Sequence, residues 1–144
     1  MKKAMLIFGM ILVAISMNAV PGIYGLEFGQ KFTDVDVHLS KAGFKQILKE
    51  DKRVTYNRES ETTLEKLEIH IDDKGILGTF SAFYNDSSDD LYYYLLDELC
   101  ELHGDYAYYD DWFEEYVWEI DGGSLYLCYG EFDYPIVEYA EGVY

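Results

Sequence analysis

The chain has 144 residues, 28 Asp and Glu against 11 Lys and Arg, and a formal net charge of −17. A chain this acidic excludes DNA, RNA and anionic lipid as partners, because their phosphates need Lys or Arg contacts. Its 49% apolar and 17% aromatic content excludes a disordered chain, which lacks the surface to bury.

The charge is unevenly placed. After Lys74 there is no Lys or Arg, yet those 70 residues hold 17 of the acids, 13 of the 15 Tyr and both Trp. A surface of one sign repels anions and attracts cations out to the screening length. That limits partners more sharply than any motif does, but it names no reaction.

Residues 1–22 read as an export signal. Lys2 and Lys3 form a positive start, and Met5 to Ile15 is an apolar run of h-region length. It is short of the ~20 residues a spanning helix needs. Ser16, Asn18 and then Pro21-Gly22 interrupt it. Ala14-Ile15-Ser16 obeys the small-x-small cleavage rule, while Ala19 and Gly22 suit the start of the fold, so the cleavage point stays open between them. The first 99 residues hold no Cys to accept an N-terminal lipid. The expected localisation is exported, periplasmic or extracellular, with no membrane association once the signal is removed. Residues 23–144 are long enough for one domain with a workable core.

Ile23 to Phe28 alternates like a short strand. A first helix follows, with Thr33 as N-cap, Asp36 at the capping-box position, Phe32 stapled to Val37, and Gly43 as the stop. Val35, His38, Leu39 and Ala42 share one of its faces. Strand-like pieces come next around Lys45 to Leu48 and Arg53 to Arg58. Leu64 to Ile71 and Ile76 to Tyr84 then form a hairpin across Asp72-Asp73-Lys74-Gly75. A second helix runs from about Ser88 to His103. Ser87 or Ser88 caps it, Asp89 and Asp90 meet its positive end, and Gly104 stops it. Leu91, Leu95, Leu99 and Leu102 are its expected core stripe. The last strands are Tyr106 to Tyr109 merging into Trp112 to Ile120, then Ser124 to Gly130, then Pro135 to Tyr139.

This order predicts an α+β fold with two amphipathic helices packed on one face of a mainly antiparallel sheet. Phe28, Thr33, Gly43 and Phe44 correspond in order to Tyr84, Ser88, Gly104 and Tyr106, an echo consistent with two β-α-β(n) repeats.

The opening Gly25-Leu26-Glu27-Phe28-Gly29-Gln30, its capped helix ending Lys41-Ala42-Gly43-Phe44, and the closing Trp118-x4-Gly123-Ser-Leu-Tyr-Leu resemble small exported bacterial proteins of unknown function. More distantly they resemble the helix-plus-antiparallel-sheet unit of the β-lactamase inhibitor protein and the SmpA/OmlA outer-membrane-assembly lipoproteins. The resemblance implies fold, export and action through protein contacts. It carries over no catalytic residue, and the lipid-anchoring cysteine of the assembly lipoproteins is missing.

No phosphate-binding loop, nucleophile elbow, zinc-protease helix or Cys-x-x-Cys is present. His103, in the last turn of the second helix, suits a positive cap on the helix dipole. His70 reads as exposed on a strand, and His38 as half-buried. The pairs Asp89-Asp90, Asp97-Glu98, Asp110-Asp111 and Glu114-Glu115 carry little weight for glycosidase chemistry, since 28 acids meet by chance. Asp86, Asp89 and Asp90, and then Asp105, Asp110 and Asp111, offer hard oxygens. Neither set has Ca²⁺-loop spacing, so a solvated acidic face is the reading. We therefore expect no catalytic residues, no metal and no cofactor. Export favours a Cys100–Cys128 disulfide, but helix and strand periodicity turn both thiols away from the helix–sheet interface, leaving the bridge open.

Tyr92-Tyr93-Tyr94 fan around the helix axis, so at least one must face solvent. Two readings compete for this segment: rings packed inward with wetted hydroxyls, or a recognition surface. The expected partner-binding residues are Tyr93, Tyr108, Tyr109, Asp110, Asp111 and Trp112. They would make a non-enzymatic, inhibitor-like module whose partner is a basic or mixed protein surface. The alternative is a carbohydrate-binding or carbohydrate-processing protein using Trp112, Trp118, Tyr and carboxylates. A third reading is a structural domain whose charge serves solubility.

Overall fold

Eight antiparallel strands form one sheet in the order β1-β2-β3-β4-β8-β7-β6-β5. The computed structural model describes residues 21–142, so the export signal expected over residues 1–22 lies, apart from Pro21 and Gly22, outside the described residues. The strands are β1 Lys45–Lys49, β2 Arg53–Asn57, β3 Leu64–Ile71, β4 Leu77–Tyr84, β5 Tyr108–Asp110, β6 Glu115–Ile120, β7 Gly123–Tyr129 and β8 Pro135–Glu141. Two helices, α1 Phe32–Lys41 and α2 Asp89–His103, each precede four of them. The fold class is α+β, as expected.

Cross-strand partners in an antiparallel sheet share a face, so the register identifies the core side. Val54, Ile69, Phe80, Tyr139, Leu125 and Trp118 stand opposite one another in turn across six strands. A second row runs Tyr56, Leu67, Ala82, Val137, Leu127 and Tyr116. Both rows join one hydrophobic cluster with Val35 and Leu39 of α1 and Tyr92, Leu95 and Leu99 of α2. Phe80 and Tyr139, stacked at 4.5 Å, fill the seam where β4 meets β8.

Several expectations need correction. Ile23 to Phe28 is not a strand: Ile23–Gly25 is a 3-10 turn, and Gly22 N–H donates to the Leu26 carbonyl at 2.7 Å. Those backbone groups are used locally, so none is free to extend a sheet. The alternation that suggested a strand came from anchors instead, with Leu26 buried and Tyr24 held at φ 58°. The first unit is therefore not β-α-β(n).

α1 begins at Phe32, one residue ahead of the expected Thr33 cap, with no side-chain cap. Its entry is held by backbone instead: Phe32 N–H donates to the Gly75 carbonyl at 2.8 Å, and Lys31 bridges Ile76. Val37, the expected staple partner, is exposed, and so is His38, whose Nε2 lies 2.8 Å from the Tyr24 carbonyl.

The predicted strand from Tyr106 to Ile120 is two strands separated by a turn, β5 and β6. The Asp72 to Gly75 hairpin and the α2 boundaries follow the expectation. Ser88 Oγ accepts from Leu91 N–H, and Gly104 at φ 82° ends the helix.

The buried stripe of α2 is Tyr92, Leu95 and Leu99, rotated from the expected leucines, with Leu102 left 39% exposed. The rotation puts the larger Tyr92 ring under the helix and consigns Tyr93 and Tyr94 to solvent. Cys100 packs against the core cluster, whereas Cys128 faces away from it, opposite Ile136 and alternating with Leu127. Both thiols are free. A bridge would have to pass through the sheet.

His103 does not act as a positive cap. Its Nε2 lies within hydrogen-bond distance, 2.7 Å, of Tyr139 Oη, which also accepts the Ile23 N–H at 3.0 Å. Burial lowers the His103 pKa, so the fold holds a neutral ring. Because the folded value lies below the unfolded one, this contribution is present above the ordinary histidine pKa and is lost as pH falls through the lowered value. Denaturant titrations at several pH values between 7.5 and 5 should show wild type losing stability relative to His103→Gln. Parallel pH profiles for the two proteins would remove the neutral imidazole from the account.

Candidate functional site

The acidic half has its own architecture. β5 and β6 are joined by residues 111–114, β7 and β8 by residues 130–134, and β6 turns into β7 at the opposite end. The first two connections therefore emerge side by side at one end of the sheet. Neighbouring strands are about 5 Å apart, so the two hairpins, two spacings apart in the sheet, are centred roughly 10 Å from one another.

Each tip reads acid, aromatic, acid: Asp111-Trp112-Phe113-Glu114 and Glu131-Phe132-Asp133. Trp112 is 88% exposed, Phe132 80% and Phe113 67%. Such exposure is not produced by floppy chain, because both turns are built. Asp110 Oδ1 accepts the N–H groups of Trp112 at 2.9 Å and Phe113 at 3.1 Å, an Asx turn. Glu114, Phe132 and Asp133 all adopt positive φ, between 52° and 58°. Non-glycine residues in that region are strained, and such strain gathers where a side chain is held out for use.

Behind the tips lies a tyrosine layer on the core side. Tyr92 stacks on Tyr129 at 4.3 Å, Tyr116 lies 4.8 Å from Tyr109 and 4.7 Å from Tyr106, and Tyr93 meets Tyr92 edge-on. Burial, then the Tyr129 and Tyr116 phenols, pushes the Tyr92 hydroxyl well above its usual range. Burial and the neighbouring Tyr106, Tyr93 and Tyr109 raise Tyr116 too. These phenols stay neutral at physiological pH and act as hydrogen-bonding groups, not as bases.

Tyr93, Tyr109 and Trp112 are exposed on this layer and its rim. Tyr108 is exposed as well, but it pairs with Val117, one residue out of phase with Tyr109 and Tyr116, so it faces the other side of the sheet. Asp110 shares that side, opposite Glu115, and its resolved role is to hold the turn. Asp111 is exposed beside Trp112. The six residues thus fall into a core-side pair, an other-side pair and a tip.

Glu115, facing Asp110, is half-buried. Its carboxyl pKa is raised by burial, then by Asp110 and Glu138. Burial, Glu115 and Glu138 push the Cys128 thiol up to about 11, which keeps it protonated and unreactive. Among the described residues no three His, Cys, Asp or Glu side chains are gathered as a metal site requires. Nor does any described helix have the length and apolarity to cross a membrane. Trp118, which the carbohydrate reading needs as a platform, is only 1% exposed and offers no ring to a sugar.

Sequence reasoning missed Phe113 and Phe132. The repeated acid-aromatic-acid pattern could have found Phe132, since a ring set between two carboxylates ahead of a strand-starting Pro135 has little chance of burial. Comparison with protein-family models, curated proteins and solved structures yields no match.

Proposed function

We propose that this protein is an exported, non-enzymatic binding module. It grips a basic or mixed protein surface with the aromatic tips of its β5–β6 and β7–β8 hairpins. The observation that carries this reading is the trio Trp112, Phe113 and Phe132, held out on strained, hydrogen-bonded turns and ringed by acids. Large rigid rings are the residues that anchor interfaces. Asp111, Glu114, Glu131 and Asp133 around them select a cationic rim on the partner and speed its arrival. The same four carboxylates argue against insertion of the rings into anionic lipid.

Two finer features belong to this proposal. Both helices cover the same face of the sheet, and the two halves are copies of one helix-plus-four-strand unit. The shared core cluster and the mirrored strand order 1-2-3-4 and 8-7-6-5 favour that arrangement. It also agrees with the inhibitor-like and assembly-protein resemblance of the termini.

The test is capture of partners from the exported fraction, at low and at physiological salt, with wild type and with a tip variant. Binding should weaken as salt rises, because exposed charges are screened beyond about 8 Å at physiological ionic strength. Capture that is indifferent to both salt and the tips would end this reading.

A further inference from the structure

On the other flank of α2 from Tyr93, a groove of about 640 Å³ runs between that helix and the chain entering the fold at Pro21 to Gly25. Its size matches sites for small organic molecules, roughly 300–1,000 Å³. Tyr24, Tyr84, Tyr94, Leu91 and Leu102 supply rings and aliphatic wall, and Glu61 supplies a carboxylate. Glu98 and Glu101 add two more charges from α2.

Glu61 is the informative residue. The Tyr24 hydroxyl donates to this carboxylate, with its oxygen 2.6 and 2.9 Å from the two Glu61 oxygens, and Tyr84 Oη follows at 3.4 Å from the same phenol. Tyr24 is itself pinned in a left-handed conformation whose carbonyl meets His38. Glu61 is half-buried, and among the described residues it takes part in no ion pair. A carboxylate partly withdrawn from water is normally matched by a cation. Tyr84 and Tyr94 line the same groove, and aromatic rings also attract cations.

We infer that this groove binds a small organic cation: an amine or guanidinium on an apolar body. The positive group sits against Glu61 and the body lies along Leu91, Tyr94 and Leu102. The three glutamates repel an anion. A hydrated metal ion would lose its waters to apolar walls that cannot replace them. A neutral apolar ligand would leave Glu61 desolvated and unmatched. This site is separate from the hairpin tips.

Phenethylamine, its near-isosteric neutral counterpart 2-phenylethanol and the anion 3-phenylpropanoate test it by calorimetry with the purified protein. Phenethylamine should bind at least tenfold more tightly than 2-phenylethanol, and 3-phenylpropanoate should not bind. Glu61→Gln should bring the amine down to the affinity of the alcohol while leaving the alcohol unchanged. Tyr94→Ala should weaken both. Nuclear Overhauser contacts from the amine to the Tyr24, Tyr84 and Tyr94 rings in wild type make the test independent of how well any variant folds. Equal affinity for amine and alcohol, an unaffected Glu61→Gln, contacts confined to Trp112 and Phe132, or no binding of any probe would each overturn the inference. Removing the tip rings should leave amine binding intact, so this proposal and the hairpin proposal fail separately.

Discussion

Trp118→Ala should cost about 3–5 kcal/mol, a large share of the roughly 5–15 kcal/mol that holds a domain folded. Trp118 is the largest fully buried side chain, and it does two jobs. Its ring fills the core side of β6 opposite Leu125, with Tyr106 edge-on at 6.1 Å. Its Nε1–H donates to the Gly104 carbonyl at 2.9 Å, tying β6 to the residue that ends α2. Alanine removes the ring and with it the hydrogen bond that ties β6 to the exposed Gly104. Trp118→Phe should be milder, since it keeps apolar volume and loses only the donor and part of the ring. Thermal and urea denaturation followed by far-UV circular dichroism measure all three proteins. A Trp118→Ala protein as stable as wild type would mean that β6 does not pack as described. The other tryptophan provides the control: Trp112→Ala, on an exposed tip, should stay within about 0.5 kcal/mol of wild type.

The double variant Trp112→Ala/Phe132→Ala should behave in the opposite way, folding like wild type but losing its partner. An interface anchor is typically worth about 2 kcal/mol, or ~30-fold in affinity. Loss of two on adjacent tips should lower affinity on the order of 10²- to 10³-fold, provided the two rings contribute independently. Capture at low salt followed by titration of the recovered partner reads this directly. Trp112 emission gives a second reading, because in a Trp118→Phe background it is the only indole and should shift to the blue as the ring leaves water. Undiminished binding by the double variant would move the interface elsewhere. A decisive intermediate is charge reversal of Asp111, Glu114, Glu131 and Asp133 to lysine. It should slow association with a basic partner far more than it speeds dissociation.

How much of this was legible beforehand depends on the range of the interaction involved. The hairpin around Asp72 to Gly75 and the helix from Asp89 to His103 were readable because their causes lie within a few residues: a turn sequence, the Ser88 cap and the Gly104 stop. That at least one of Tyr92, Tyr93 and Tyr94 faces solvent followed from helical geometry, whereas the structure decided that it is Tyr93 and Tyr94. The segment Ile23 to Phe28 misled because its alternation carries Gly25 and follows Gly22, and these two allowed a tight turn that consumed backbone bonds a strand would need. Tyr106 to Ile120 was read as one strand because Asp110 is polar in any conformation. Its Asx bonds to Trp112 and Phe113 emerge only once the turn is built.

Read alone, the residues settled the one-signed charge of the second half, the α+β class, the main hairpin and the second helix, since each rests on composition or on near neighbours. The tertiary structure decided which ring faces which way. Tyr108 and Tyr109 part company because β5 pairs with β6 in one register and not its neighbour, and in a sheet a one-residue step reverses every side chain. It also brought the hairpins that carry Trp112 and Phe132 to one end of the sheet, buried Trp118, lowered the His103 pKa by burial, and set Glu61 against Tyr24 across 37 residues of chain. Those outcomes depend on pairings between segments remote in sequence, whose free energy no local pattern contains.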